Sequence, residues 1–315
     1  MRVRSILLAA ATVAATVAPT PAAALAFPAA AHAAGPGGSI AFVRDGDIWL
    51  TRAGKTTRIT QDKGNSWPRL SPDGYVIAYT HKGNIRIATI ADEPFSDELT
   101  HGGDAGGASW SPDGTYLAYK TGDTHTGNLT FVRLSSSLAV ESTRTVRLKA
   151  AAGWTARRPE SFDPLSAANT VAWSPDGKKI AFPGGDCWGI YDDCLTVLDV
   201  AANTEQTIVA FGGGGIDVDG FATTPSWSAD SRKLFWTQQN DIEGSSNTTP
   251  VHSVAYNLTN DTMWAVGTAG DTIPVHLGGG AFLFTARHGG VPWIALDKSG
   301  TRTWLMPGAQ SDWRP

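Results

Sequence analysis

Four near-copies of one short string constrain this chain more than any other feature. They are Pro68-Arg-Leu-Ser-Pro-Asp-Gly74, Ala108-Ser-Trp-Ser-Pro-Asp-Gly114, Val171-Ala-Trp-Ser-Pro-Asp-Gly177 and Pro225-Ser-Trp-Ser-Ala-Asp-Ser231. Recurrence at about 40 to 60 residues is the period of β-propeller blades. Pro presets φ for the first turn residue, Asp bonds its own backbone and Gly accepts a positive φ, so the string makes a tight reversal between two strands. Each copy leads into a short alternating run: Val76 to Tyr79, Tyr116 to Tyr119, Lys179 to Phe182 and Lys233 to Trp236. Alternation with β-branched and aromatic residues predicts strands. The Trp of each copy is expected to pack between blades.

Third strands are expected over Asn84 to Thr89, Leu129 to Val132 and Leu195 to Leu198, and a fourth over, for example, Thr207 to Ala210. A degenerate fifth copy, Pro274 to Phe284, aligns without gaps on Pro225 to Phe235, although the Asp and the preceding aromatic are lost. The sixth blade is split between the chain ends. Ile40 to Phe42, Asp47 to Leu50 and Thr57 to Thr60 read as its second to fourth strands, and Ser311 to Pro315 resembles an opening strand such as the one at Ser66-Trp67-Pro68. The expected fold is therefore all-β: a six-bladed β-propeller of four-stranded antiparallel blades, its N-terminal blade closed by the C-terminal strand. Closure removes sheet edges that invite aggregation.

The run Trp173 to Phe182 and its relatives resemble the WD40-like repeat of the TolB β-propeller family. That resemblance implies a rigid scaffold for protein contacts and says little about chemistry. The extra N-terminal domain expected of a TolB protein and the hydrolase domain of peptidases with such propellers have no counterpart in the sequence.

Residues 1–34 carry Arg2 and Arg4, an apolar run from Ile6 and the small-residue stretch Ala31-His32-Ala33-Ala34, the order of a secretory signal peptide. Residues 35–315 then form a single propeller domain, secreted and without membrane insertion. The chain has a formal charge of −4. Loss of two arginines with the signal makes it more negative, which disfavours nucleic acid and anionic membrane as partners. Cys187 and Cys194 are the chain's two cysteines and are expected to form one disulfide in an oxidising compartment.

In such blades the turns after strands one and three lie on one face, and the loops after strand two and between blades lie on the other. The long segments, 149–169, 183–194, 211–224 and 238–250, fall on the second face, where function is expected. Trp188, Tyr191, Asp192 and Asp193 sit inside the expected disulfide loop, and Trp154, Arg157 and Arg158 lie in the longest connection; aromatic groups beside charges suit a protein contact. Asp217 and Asp219, two apart before a Gly, are compatible with calcium, with Asp241 and Glu243 as further ligands, although an EF-hand pattern is absent and no cofactor is required. The catalytic strings Gly-x-Ser-x-Gly, His-Glu-x-x-His and Gly-x-x-x-x-Gly-Lys do not occur. The sequence thus points to a non-enzymatic, monomeric propeller for an extracellular or cell-envelope protein. The alternative is a carbohydrate-active propeller that binds or cleaves a glycan through acidic loop residues.

Overall fold

The computed structural model describes residues 38–91, 95–122, 127–148, 170–185, 193–213, 218–242 and 249–315. The expected export signal, Cys187, Trp188, Tyr191, Asp192, Trp154, Arg157, Arg158, Asp217 and Glu243 lie outside these residues. Blade 1 begins with β1 (Ser39–Arg44), β2 (Asp47–Arg52) and β3 (Lys55–Arg58). Blade 2 is β4 (Asn65–Leu70), β5 (Val76–His81), β6 (Asn84–Thr89) and β7 (Ser96–Glu98), and blade 3 is β8 (Ser109–Trp110), β9 (Tyr116–Gly122), β10 (Gly127–Leu134) and β11 (Val140–Arg147). Blade 4 follows as β12 (Ala172–Trp173), β13 (Lys179–Pro183), β14 (Asp193–Asp199) and β15 (Thr204–Phe211). Blade 5 is β16 (Val218–Trp227), β17 (Lys233–Ile242), β18 (His252–Asn257) and β19 (Thr262–Val266). Blade 6 is β20 (Thr272–Gly278), β21 (Ala281–His288), β22 (Val291–Lys298) and β23 (Thr301–Pro307), after which β24 (Ala309–Arg314) returns to blade 1.

These are six four-stranded antiparallel sheets, and blade 1 has the order β24-β1-β2-β3. The C-terminal strand therefore closes the ring, with Ile40 opposite Trp313 and Ala41 opposite Asp312. Two details differ from the sequence expectation. Trp313 falls in the column of Trp110, Trp173 and Trp227, three places beyond the bulge residue Gln310, and Trp67 occupies the bulge itself. The fourth strand of blade 1 ends at Arg58, because Thr60 turns inward and its Oγ1 accepts the Ile48 N–H at 2.9 Å.

The repeated string earns its spacing through one hydrogen-bond pattern. In blade 3, Ser111 Oγ donates to Asp113 Oδ1 at 2.5 Å and accepts the Tyr116 N–H at 2.9 Å. Asp113 Oδ1 also accepts the Thr115 N–H at 3.1 Å, and Gly114, at φ 74, donates to the Ser111 carbonyl at 2.9 Å. The Ser174-Asp176 and Ser228-Asp230 turns repeat it. Blade 5 replaces the glycine with Ser231 at φ 58, and the hydroxyl accepts the Asp176 N–H of the neighbouring turn at 3.0 Å.

Between blades the core is apolar. Val76, Ala78, Ile85 and Ile87 of blade 2 pack on Trp110, Leu117 and Tyr119 of blade 3, and the ring of Phe131 meets that of Trp173 edge-on at 5.4 Å across the next boundary. Strands two and three are accordingly buried on both sides, as in β5, whereas the outermost β3 is exposed throughout. Near the axis, four first strands carry a bulge residue at positive φ: Trp67 (52), Thr224 (54), Ile273 (55) and Gln310 (53). A left-handed non-Gly residue costs about 1–2 kcal/mol. Each bulge N–H offsets part of that by donating to a side chain of the adjoining blade: Gln310 Oε1 (2.8 Å), Thr170 Oγ1 (3.2 Å), Thr237 Oγ1 (2.8 Å) and Thr285 Oγ1 (3.0 Å) respectively. Val171 N to the Gly107 carbonyl at 3.0 Å and Trp110 Nε1 to the Arg69 carbonyl at 3.0 Å bridge the two remaining boundaries. Hydrogen bonds thus suture every blade to its neighbour around the axis.

Candidate functional site

The six first strands enclose an axial funnel with a cavity of ≈ 130 Å³. Its wall runs from Thr224 and Ile273 at the bulges to Pro72, Pro112 and Pro175 in the Ser-Pro-Asp-Gly turns, so it opens on the face of the short turns. The inner end is blocked. Trp67 of blade 2 is 2 % exposed and packs on Ile273 of blade 6. These two blades are separated by blade 1 around the ring, so their contact crosses the axis. Gly107 makes room for this plug, since a Cβ there would stand 2.9 Å from that of Trp67.

At the matching place of each first strand, two residues beyond the bulge in the four that have one, a residue lines the cavity: Ser109, Ala172, Ser226, Val275, Arg69 and Asp312. The first four are small and uncharged. Arg69 is 9 % exposed, and the one hydrogen bond of its guanidinium among the described residues runs from Nη1 to the Pro68 carbonyl at 3.1 Å. None of the ion pairs among the described residues includes it. Burial lowers its pKa; Asp312 works against that fall and Arg314 adds to it. Asp312 Oδ2 is engaged by the Leu70 N–H at 2.8 Å, and Arg314 Nε donates to the Leu70 carbonyl at 3.2 Å. Ser226 donates to the Pro274 carbonyl. Ser109 Oγ accepts the Trp173 N–H at 2.9 Å, which leaves its hydroxyl proton to point elsewhere. His276 takes the place of the repeat Trp, stacked on Phe235 at 5.1 Å. Its Nδ1 is buried without a partner, and burial holds its pKa below 6.5.

On the other face the structure describes the ends of the long segments. Asp193 opens β14, and burial pushes its carboxyl up to about 8, helped by the Asp219 carboxylate and opposed by the Cys194 and Ala222 N–H groups and by Lys120. Asp193 Oδ1 is buried without a hydrogen-bond partner, and Lys120 is 0 % exposed. Asp219 lies on β16, where its Oδ1 accepts the Gly220 N–H at 2.7 Å. Asp193 and Asp219 are thus close enough to repel, but no group of three or more acidic, His or Cys side chains suited to a metal gathers among the described residues. Cys194 is fully buried, and none of the described cysteines is free. Asp241 lies on β17 opposite Asp219.

Sequence reasoning overlooked the funnel because it weighed loop length. The signal was present in the columns of the repeat: the axis-facing column is small or apolar in four copies and charged at Arg69 and Asp312.

The fold and this funnel define a closed six-bladed propeller with an axial, one-ended site. No family model matches the chain. No curated protein matches it either. Among solved structures it is similar to TolB from Acinetobacter baumannii, at 16% identity and a TM-score of 0.62, over 88% of this chain and 67% of that one. It is also similar to a protein described as putative TolB from Agrobacterium tumefaciens, at 16% identity and a TM-score of 0.51, over 88% of this chain and 97% of that one. At such identities the likeness is one of fold.

Proposed function

We propose that this chain is an exported, non-enzymatic binding propeller that receives a segment of an extracellular or cell-envelope protein at its axial funnel. The observation that carries this reading is the funnel itself: a largely apolar, one-ended recess holding a few charged groups, whose walls are strands sutured blade to blade, with the reach of a chain end or a side chain. Rigid walls reduce the entropy lost on association, so a small recess can anchor a larger contact. The TolB-like architecture supports a scaffold for protein contacts. Tryptophans at the funnel, Trp110, Trp173, Trp227 and Trp313, add the aromatic surface common at anchoring contacts.

On the opposite face, a Cys187–Cys194 disulfide would staple the loop that carries Trp188, Tyr191 and Asp192, a second contact surface; the absence of a free described cysteine favours that pairing. Site-directed photo-crosslinking separates the two faces. A crosslinking residue is placed at Pro72 on the funnel rim or at Trp188, and the mature protein is exposed to culture fluid and envelope extract of its source. A saturable adduct with one protein from position 72 supports the funnel. Adducts from position 188 alone move the site to the other face, and protein adducts from neither position refute the protein-binding reading in favour of a glycan.

A further inference from the structure

Arg69 stands out within the funnel. A guanidinium is costly to withdraw from water unless its charge is met, yet this one is nine-tenths buried with a single carbonyl as its hydrogen-bond partner among the described residues. The nearby carboxylate of Asp312 is turned to the Leu70 N–H, and a second guanidinium, Arg314, lines the same cavity. Two cations and the Asp312 carboxylate share a wall that also holds His276 among Pro, Trp, Ser and aliphatic residues. The free Ser109 hydroxyl proton is presented from the adjoining blade at the level of Arg69.

We propose that the funnel is a carboxylate-binding site, in which Arg69 pairs with a carboxylate of the incoming ligand and Ser109 donates to it. This rests on the funnel reading above and specifies what the bound segment presents: a chain-terminal carboxylate or an acidic side chain. Planar guanidinium and carboxylate groups match in a two-bond fork. A dianionic phosphate fits less well, because the nearby Asp312 carboxylate repels its second charge.

Titration calorimetry of the mature chain tests the assignment, with an N-acetylated alanine tripeptide as free acid, the same peptide as its amide, acetate, and inorganic phosphate as probes. The free acid is expected to bind, and its amide to bind at least about tenfold more weakly, the worth of a charge-assisted hydrogen bond. Acetate binding as tightly as the peptide acid would identify a small free carboxylate as the ligand, whereas a clear preference for the peptide identifies a chain end. Arg69→Met should abolish the preference for acid over amide while leaving the melting temperature unchanged or higher, which a purely structural arginine would not do. Asp312→Asn, which keeps an acceptor for Leu70, should tighten binding of the acid severalfold. Equal binding of acid and amide, a preference for phosphate, or an Asp312→Asn variant that binds no more tightly would overturn the proposal. A protein adduct at position 72 that survives Arg69→Met would overturn it too, while leaving the binding propeller intact.

Discussion

At the residue scale, two partly buried titratable groups give opposite pH signatures. Burial disfavours the charged form of His276 and lowers its pKa, with Lys233 adding to the effect and Asp230 opposing it. Its folded pKa lies below the unfolded value, so the unfolded chain binds more protons between the two. The stability due to the neutral ring is complete above about pH 6.5 and is lost as pH falls through the folded value. His276→Phe keeps an aromatic ring between Phe235 and Phe282 and removes the unpaired Nδ1. Urea midpoints measured from pH 7.5 downward should therefore fall less in the variant than in the parent below about pH 6.5. Asp193 behaves the other way. Its carboxyl titrates at about 8 when folded against 3.8 unfolded, so the protonated form contributes stability that is full below about pH 4 and is lost as pH rises through about 8. Asp193→Asn should abolish this slope, and a parent and variant with parallel profiles from pH 5 to 9 would refute the buried protonated carboxyl.

The elements show how much the residues announced. Ser, Asp and Gly recur at fixed spacing because one hydroxyl both donates to the carboxylate and accepts an N–H five residues on, as in Ser111, Asp113 and Tyr116. Such local chemistry is legible in sequence, and with it the blades and their order. Asp113→Ala removes the acceptor of Ser111 Oγ, Thr115 N and Thr115 Oγ1. It should cost about 1–2 kcal/mol in chemical denaturation, less than the sum of three bonds because the freed groups are partly met by water. Replacing Ser231 with Gly relieves a left-handed residue but forfeits the bond to Asp176 N, two effects of about 1 kcal/mol with opposite sign. That balance accounts for a copy of the motif that departs from its relatives without loss of the turn. The axial bulges were not legible: Trp67, Thr224, Ile273 and Gln310 share a conformation but no residue type, because their partners come from other blades. The funnel followed the same rule. Arg69 and Asp312 lie far apart in the chain, and only closure of the ring brings them to one cavity.

At the scale of the molecule, closure is the feature on which the site depends. β24 supplies the inner strand of blade 1, Gln310 bridges blade 2 through its Oε1 and blade 6 through its N–H, and Asp312, Trp313 and Arg314 form part of the funnel wall. Removing residues 309–315 deletes one first strand, exposes the pairing edge of β1 and strips the bulge N–H of Trp67 of its acceptor. An exposed strand edge is a template for intermolecular pairing. The truncated chain should therefore lose the single cooperative transition of the parent in thermal unfolding and run larger than a monomer in size-exclusion chromatography with light scattering. Adding the missing strand back as a synthetic peptide should restore the monomer, because the remaining sheet of blade 1 presents the same edge that β24 occupies. A truncated chain that stays monomeric and unfolds as cooperatively as the parent would show instead that the five intact blades and their sutures hold the ring without it. In that case the C-terminal strand would serve chiefly to place Asp312 and Arg314 in the funnel, and its loss would register in ligand binding alone.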